Sequence, residues 1–323
     1  MRHLRTLFDI SPTEFHAIED LAHRLKSDWR KGSRQNWLAN QTLALLFEKP
    51  SLRTRVSFEA GMTQLGGTPL YLTQDVGWQQ REATSDFIQV LAEYADVVVC
   101  RAFSHHTVEE LASYNCVPII NGLTDMSHPC QAMADMMTMR EIAGDVAGKQ
   151  VTYVGDGNNV ARSLLHACGM AGMRFRLVGP TDYHIEASWM ERVKEACSSL
   201  DVEQTTDVKA ALLDADFVYT DVWTSMGQEA EAASREQDFK TFQVNGDLMR
   251  QAPDHCRVLH CLPARRGKEI TDEVIDSPKS AVIQQAGNRM HLQKGLLVWL
   301  AAQNNRLDQK RLEEAGHSGI SNG

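Results

Sequence analysis

Short apolar runs alternate with helical periodicity along almost the whole chain: T-L-A-L-L-F at 42, P-L-Y-L at 69, D-V-V-V-C at 96, V-P-I-I at 117, Q-V-T-Y-V at 150, R-F-R-L-V at 174, D-F-V-Y-T at 216, R-V-L-H at 257 and A-V-I at 281. Strands of this kind, each followed by a helix, form mostly parallel sheets covered by helices on both faces. The expected fold class is therefore α/β. At 323 residues and 43% hydrophobic content, the chain has material for two similar-sized domains, each with its own core. The glycine-containing turn E-I-A-G-D-V-A-G-K at 141 to 149 is the expected boundary, giving domains 1–140 and 141–287. A helix over 288–303 follows, then a polar tail, 304–323, expected to fray.

Composition removes several function classes. No stretch reaches the roughly 18 apolar residues of a membrane span, and the start, M-R-H-L-R-T-L-F-D, lacks a long apolar signal core, so a cytoplasmic location is expected. The formal charge of −9 argues against a nucleic-acid surface, so an anionic ligand must be held by local arginines. Seven cysteines without a C-x-x-C pair suit reduced thiols better than disulfides. His and Cys show no paired metal-ligand spacing, so no metal site is expected, and no G-x-S-x-G elbow supports a hydrolase.

Residues 47 to 55, F-E-K-P-S-L-R-T-R, carry an apolar strand into a helix opening at Ser51, Arg53, Thr54 and Arg55. Helix starts offer free N–H groups and a positive dipole end, so hydroxyls and a guanidinium there make a phosphate cradle. Residues two apart on a helix point roughly 200° apart, so only one of Arg53 and Arg55 can face the phosphate. An ordinary capped helix with exposed arginines would carry the same letters. Upstream, Ser11, Pro12 and Glu14 form a capping box that starts a helix running to about Lys26.

In open parallel sheets ligands bind beyond the carboxyl ends of strands. Arg101, Asn158, Asn159, Asp221 and Cys261 stand at such ends alongside Ser51, spread over both lobes, which describes a cleft between domains. Each has a plainer reading: Arg101 could snorkel to solvent, the asparagines could bind a carboxylate or shape an Asx turn, and Cys261 could be inert packing. His128 and Gln131, three apart at a helix start, could share one ligand or simply flank a cap. G-D-G-N-N-V at 155 departs from the dinucleotide fingerprint at Val160 and lacks the acidic ribose partner.

Taken together, S-L-R-T-R at 51, H-P-C-Q at 128, D-V-W-T-S-M-G-Q-E at 221 and H-C-L-P-A at 260 resemble the aspartate/ornithine carbamoyltransferase family, over about residues 3 to 302, with the last two segments of the ornithine type. The resemblance implies a carbamoyl-phosphate domain rejoined by the C-terminal helix, an ornithine domain, an active site in the interdomain cleft, a homotrimer, and transfer of a carbamoyl group to the ornithine δ-amine to give citrulline without a cofactor, as in arginine- or urea-type metabolism. Carbamoyl phosphate would be held by Ser51, the Leu52 N–H, Arg53, Thr54, Arg101, His128, Gln131 and Arg289. Ornithine would be held by Asn159, Asp221, Ser225, Met226, Cys261 and the Leu262 backbone, with Arg101, His128, Asp221 and Cys261 in catalytic positions. Two departures stand out. Leu52 replaces the usual threonine, as in relatives that use N-acylornithine, and Gly77 beside Trp78 replaces the polar residue that reaches a neighbouring subunit. Trp78 or Arg81 is expected to supply that contact.

Overall fold

Ser11 and Glu14 close the expected capping box and Pro12 opens α1 (Pro12–Arg30). In the computed structural model, which describes residues 1–78, 80–224 and 229–307, strands and helices then alternate except where α10 follows α9 and α12 follows α11. β1 (Thr42–Phe47), α2 (Leu52–Gln64), β2 (Thr68–Leu72), α3 (Thr84–Ala92), β3 (Val97–Arg101), α4 (His105–Ser113), β4 (Ile119–Leu123) and α5 (Pro129–Ala143) follow in order. Next come β5 (Gln150–Val154), α6 (Asn159–Met170), β6 (Arg174–Val178), α7 (Ala187–Ala196), β7 (Val202–Thr205), α8 (Val208–Leu212), β8 (Phe217–Thr220), α9 (Ala232–Phe239), α10 (Gly246–Met249), β9 (Arg257–His260), α11 (Asp272–Ile275) and α12 (Val282–Gln303). No helix among the described residues is long and apolar enough to cross a membrane.

Two compact units result: Met1–Cys130 with the described residues from Arg289 onward, and Gln131–Asn288. The division falls inside α5 and α12, not in the turn after residue 140. In the first unit a four-stranded sheet runs β2-β1-β3-β4; in the second a five-stranded sheet runs β7-β6-β5-β8-β9, and every pairing is parallel. β3 and β5 are buried along their whole length, which is why V-V-V-C of β3 reads as an unbroken apolar run; in β5 the buried polar residues Gln150 and Thr152 donate to the Val151 and Ala211 carbonyls. Each sheet winds first to one side of its leading strand and then to the other, placing a switch point between β1 and β3 and between β5 and β8.

Four expectations change. β7, V-E-Q-T, has no apolar run because it is an edge strand left half exposed. A-V-I at 281 keeps one strand-like bond, Ala281 N–H to the Val258 carbonyl at 2.8 Å, and then turns into α12 at Val282. So short an apolar run does not distinguish strand from buried helix. The tail does not fray at 304: Asn304 accepts the Arg2 N–H, Arg306 pairs with Asp96 and Leu307 is buried, while 308–323 lie outside the described residues. Trp78, expected to reach a neighbour, is 1% exposed and stacks on Phe87 with ring centroids 6.2 Å apart, inside the core formed by β1, β3, α3 and α4. A buried tryptophan contributes a large apolar area to the core, and of the pair only Arg81 is exposed.

Trp78→Ala should therefore act on stability, lowering it by about 3–5 kcal/mol. Urea unfolding checks this, and an unchanged midpoint would count against the core assignment.

Candidate active site

Pro50 ends the extended segment after β1, and Ser51 caps α2 by accepting the Thr54 N–H on Oγ at 3.3 Å. The helix start leaves first-turn N–H groups and a positive dipole end facing the crevice at the β1/β3 switch point. Thr54 is 1% exposed, and three donors converge on its hydroxyl oxygen: Ser51 Oγ at 3.1 Å, Arg101 Nη1 at 3.3 Å and Arg289 Nη2 at 3.0 Å. A hydroxyl oxygen has only two lone pairs. The donors are oversupplied for Thr54 and suited to an anion with several oxygens. Arg101 gains its aim from a slip in register against β4, where Cys100 pairs with Asn121 and Arg101 with Leu123, so that Gly122 is the extra residue of a bulge.

His128, at the start of α5, is buried with Lys49, Arg101 and Arg289 around it. Burial first, and then the positive charge of Arg289, Arg101 and Lys49, holds its imidazole well below the ordinary 6.5. His128 is thus a neutral donor or acceptor at neutral pH. Because the unfolded chain takes up this proton first, the associated stability is fully present above 6.5 and is lost as pH falls toward the folded value. Lys49 was not among the candidates read from the sequence; its one signal was its place directly before Pro50, and its ammonium lies 4.7 Å from the Phe103 ring centroid. The two arginines of α2 diverge as helix geometry requires. Arg55 is exposed, bonds Glu59 at 3.0 Å and lies over Tyr71 at 3.8 Å, while Arg53 is half-buried. Leu52 is 73% exposed.

The second unit repeats the logic at the β5/β8 switch point. Gly155 follows β5 where its carbonyl passes Gly179 so closely that a Cβ on Gly179 would lie 2.5 Å from the oxygen. Asn158, not Asn159, is the N-cap of α6: its Oδ1 accepts the Val160 and Ala161 N–H groups and its Nδ2 donates to Asp221 Oδ2 at 3.1 Å. Asn159 sits half-buried as the first residue of α6. Asp221, just past β8, also accepts the Val222 N–H at 2.8 Å and the Cys261 thiol at 3.0 Å on Oδ1. Arg235 joins the two loops, donating to Asp156 at 2.8 Å and to the Trp223 carbonyl at 3.2 Å. Ser225 and Met226 lie outside the described residues. Gln131 donates to Asp135 at 2.7 Å within this unit.

Sequence spacing held no metal motif, yet Asp221, His260 and Cys261 bring ligand-type atoms within 4.8 Å of one another. The imidazole has nothing to offer a cation: Nε2 faces Glu269 at 3.0 Å and Nδ1 accepts the Leu262 N–H at 2.9 Å.

Residues 2–141 match the carbamoyl-P binding domain of aspartate/ornithine carbamoyltransferase and residues 147–300 match its Asp/Orn binding domain. The chain belongs to the aspartate/ornithine carbamoyltransferase family. It is 47% identical over 298 residues to the ornithine carbamoyltransferase of Anoxybacillus flavithermus, covering 91% of this chain and 95% of that one. It is 47% identical over 302 residues to the anabolic enzyme of Pyrococcus furiosus, covering 92% and 95%. The structure of ornithine carbamoyltransferase from Pyrococcus furiosus superimposes with a TM-score of 0.89 at 45% identity, over 92% of this chain and 96% of that chain. The anabolic enzyme of Campylobacter jejuni gives 0.88 at 32% identity, over 94% and 100%.

Thr54→Val keeps the shape of the side chain and removes the oxygen on which the donors converge. It should weaken binding of inorganic phosphate about tenfold or more, measured by calorimetry; unchanged affinity would mean that Thr54 does not organise the anion site.

Proposed function

We propose that this chain is an enzyme that transfers the carbamoyl group of carbamoyl phosphate to the δ-amine of L-ornithine, yielding L-citrulline and phosphate. The observation that carries the reading is the convergence of Ser51, Arg101 and Arg289 on Thr54 at the open end of α2. The Asp221–Cys261 pair in the second unit supports the amine side.

In this reading Ser51, the Leu52 N–H, Arg53, Thr54 and Arg289 bind the phosphate. Arg101, His128 and Thr54 donate to the carbamoyl oxygen, with Gln131 also on the carbonyl side. Asn159, with Ser225 and Met226, takes the amino-acid end of ornithine, while Asp221, Cys261 and the Leu262 backbone orient the reacting amine. The amine nitrogen attacks the carbamoyl carbon, the bond to the phosphate oxygen breaks, and the amine proton leaves with phosphate. Negative charge developing on the carbonyl oxygen meets preorganised donors, each worth roughly 3–4 kcal/mol. A free amine of the lysine type titrates near about 10.4, so the site must favour its neutral form. Nothing in the transfer consumes a cofactor. We place the enzyme in the cytoplasm as a homotrimer; exposed Leu52, Val56 and Leu70 on α2 and β2 support a surface between copies, with Arg81 as the contact residue.

Comparing citrulline-type product formation from L-ornithine, N-acetylornithine, N-succinylornithine, putrescine and aspartate tests the reading. L-Ornithine should give the highest kcat/KM, and a higher value for an acylated acceptor would return the choice to the missing hydroxyl at Leu52. In the same assay His128→Gln should lower kcat by about 10²–10³. Because His128 is already neutral, the acidic limb of the rate profile should not move.

A further inference from the structure

Lys294 is 2% exposed, although lysine is almost never fully buried unless its charge is paired. It stands on α12 where two other helices close in. A Cβ on the next residue, Gly295, would lie 2.8 Å from Ala22 Cβ of α1, and one on Gly61 of α2 would lie 3.4 Å from Lys294 Cγ. The two glycines let α1, α2 and α12 approach until the lysine stem is held between them, and its amine borders a cavity of about 20 Å³. Leu25, Trp29, Trp37 and Leu65 give that cavity apolar walls, and the exposed Ser33 and Gln35 also line it, which puts it within reach of solvent. A space of this size holds a water or a small linear molecule, not an amino acid.

The surroundings of the amine favour its neutral form. Nζ donates to Gln64 Oε1 at 3.1 Å, and Gln64 is oriented from its other side by Nε2 on the Met290 sulfur at 3.3 Å. An ammonium carries three donors, and one amide oxygen matches only one of them. Trp29 offers its ring at 5.2 Å, but the Arg34 guanidinium lies closer to the same ring, at 3.5 Å. Burial first, and then the positive charge of Arg34, lowers the pKa of Lys294 to about 8, with Asp28 opposing.

We propose that Lys294 is a covalent modification site for isocyanic acid, a neutral linear electrophile that the cavity can admit. The Nζ lone pair attacks the carbon of H–N=C=O, a C–N bond forms, and the C=N π pair takes up the proton that the attacking nitrogen gives up. The product is a urea on the lysine, in which every atom of both reactants is retained, with no oxidant and no leaving group. Its carbamoyl carbon, oxygen and nitrogen then occupy the cavity. A source lies in the reaction proposed above, because carbamoyl phosphate in water separates into isocyanic acid and phosphate. The source rests on that reading; the reactivity of Lys294 does not.

The test treats the wild-type protein with potassium cyanate and follows the gain of one HNCO at each lysine by peptide mass spectrometry. An ordinary lysine amine titrates near about 10.4 and is almost wholly protonated at neutral pH, so Lys294 should react about tenfold or more faster than the exposed Lys31, Lys194 and Lys209. Its rate should rise with pH and level off above about 8. Unfolding in guanidinium chloride should abolish the preference, since the cavity creates it. Equal or slower labelling of Lys294 in the folded protein, a rate that climbs over the same pH range as at the exposed lysines, or a preference that survives unfolding would each overturn the proposal. Because cyanate is supplied directly, a wild type that forms no citrulline would remove the transfer reaction and leave the labelling outcomes to decide the site.

Discussion

A parallel sheet that winds to one side of its leading strand and then to the other must leave a gap where two neighbouring strands send their chains in opposite directions. Both units of this protein use that gap. With β3 and β5 buried along their whole length, the strand interiors offer no open position to a reactive polar group, so such groups collect at the strand ends, Arg101 as the last residue of β3 among them. Arg101 and Thr54 meet across the first gap, Asn158 and Asp221 across the second. The topology thus decides which distant segments share a site, and local chemistry at each helix start decides what that site can hold.

The first of these sites concentrates positive charge in a protein whose formal charge is −9. Lys49, Arg101 and Arg289 are each less than a tenth exposed. Burying like charges together costs folding energy, and the cost falls when a multiply charged anion enters. His128 shows the same field from the other side, since those cations help to keep it from becoming a fourth charge. A neutral imidazole among guanidiniums can hydrogen-bond a carbonyl without competing for the phosphate. In the proposed reaction this would separate binding from activation within one cluster.

Much of this was legible in the chain itself, and the failures have identifiable causes. Buried parallel strands announce themselves as apolar runs, so the runs at 42, 150, 174 and 257 coincide with β1, β5, β6 and β9 to the residue. β7 was invisible because an edge strand need not be apolar, and A-V-I misled because a short apolar run serves either element. The capping box at Ser11 was readable since its partners lie three residues apart. Trp78 was misplaced because a tryptophan in a polar loop gives no sign of the pocket that Phe87 provides. The roles of Asn158 and Asn159 could not be divided by sequence, since which of two adjacent asparagines caps a helix depends on where the backbone turns. Nor could Glu269, nine residues beyond His260, be seen to share a buried bond with it.

The two sites differ in sign in a way that suits two different ligands. At Thr54 there are more donors than the oxygen has lone pairs, a donor-rich arrangement of the kind that suits an oxyanion. At Asp221 the count runs the other way. A carboxylate has about four lone-pair positions; the Val222 N–H and the Cys261 thiol use those on Oδ1, and Asn158 uses one on Oδ2. Among the described residues, that leaves an acceptor position on Oδ2, beside three bonds that orient the carboxylate. Such a group favours one polar hydrogen of a primary amine over a planar, multidentate donor. Cys261 extends the same selection, because a thiol is a weak donor and a soft neighbour. It holds the carboxylate in place without the tight bond a hydroxyl would make.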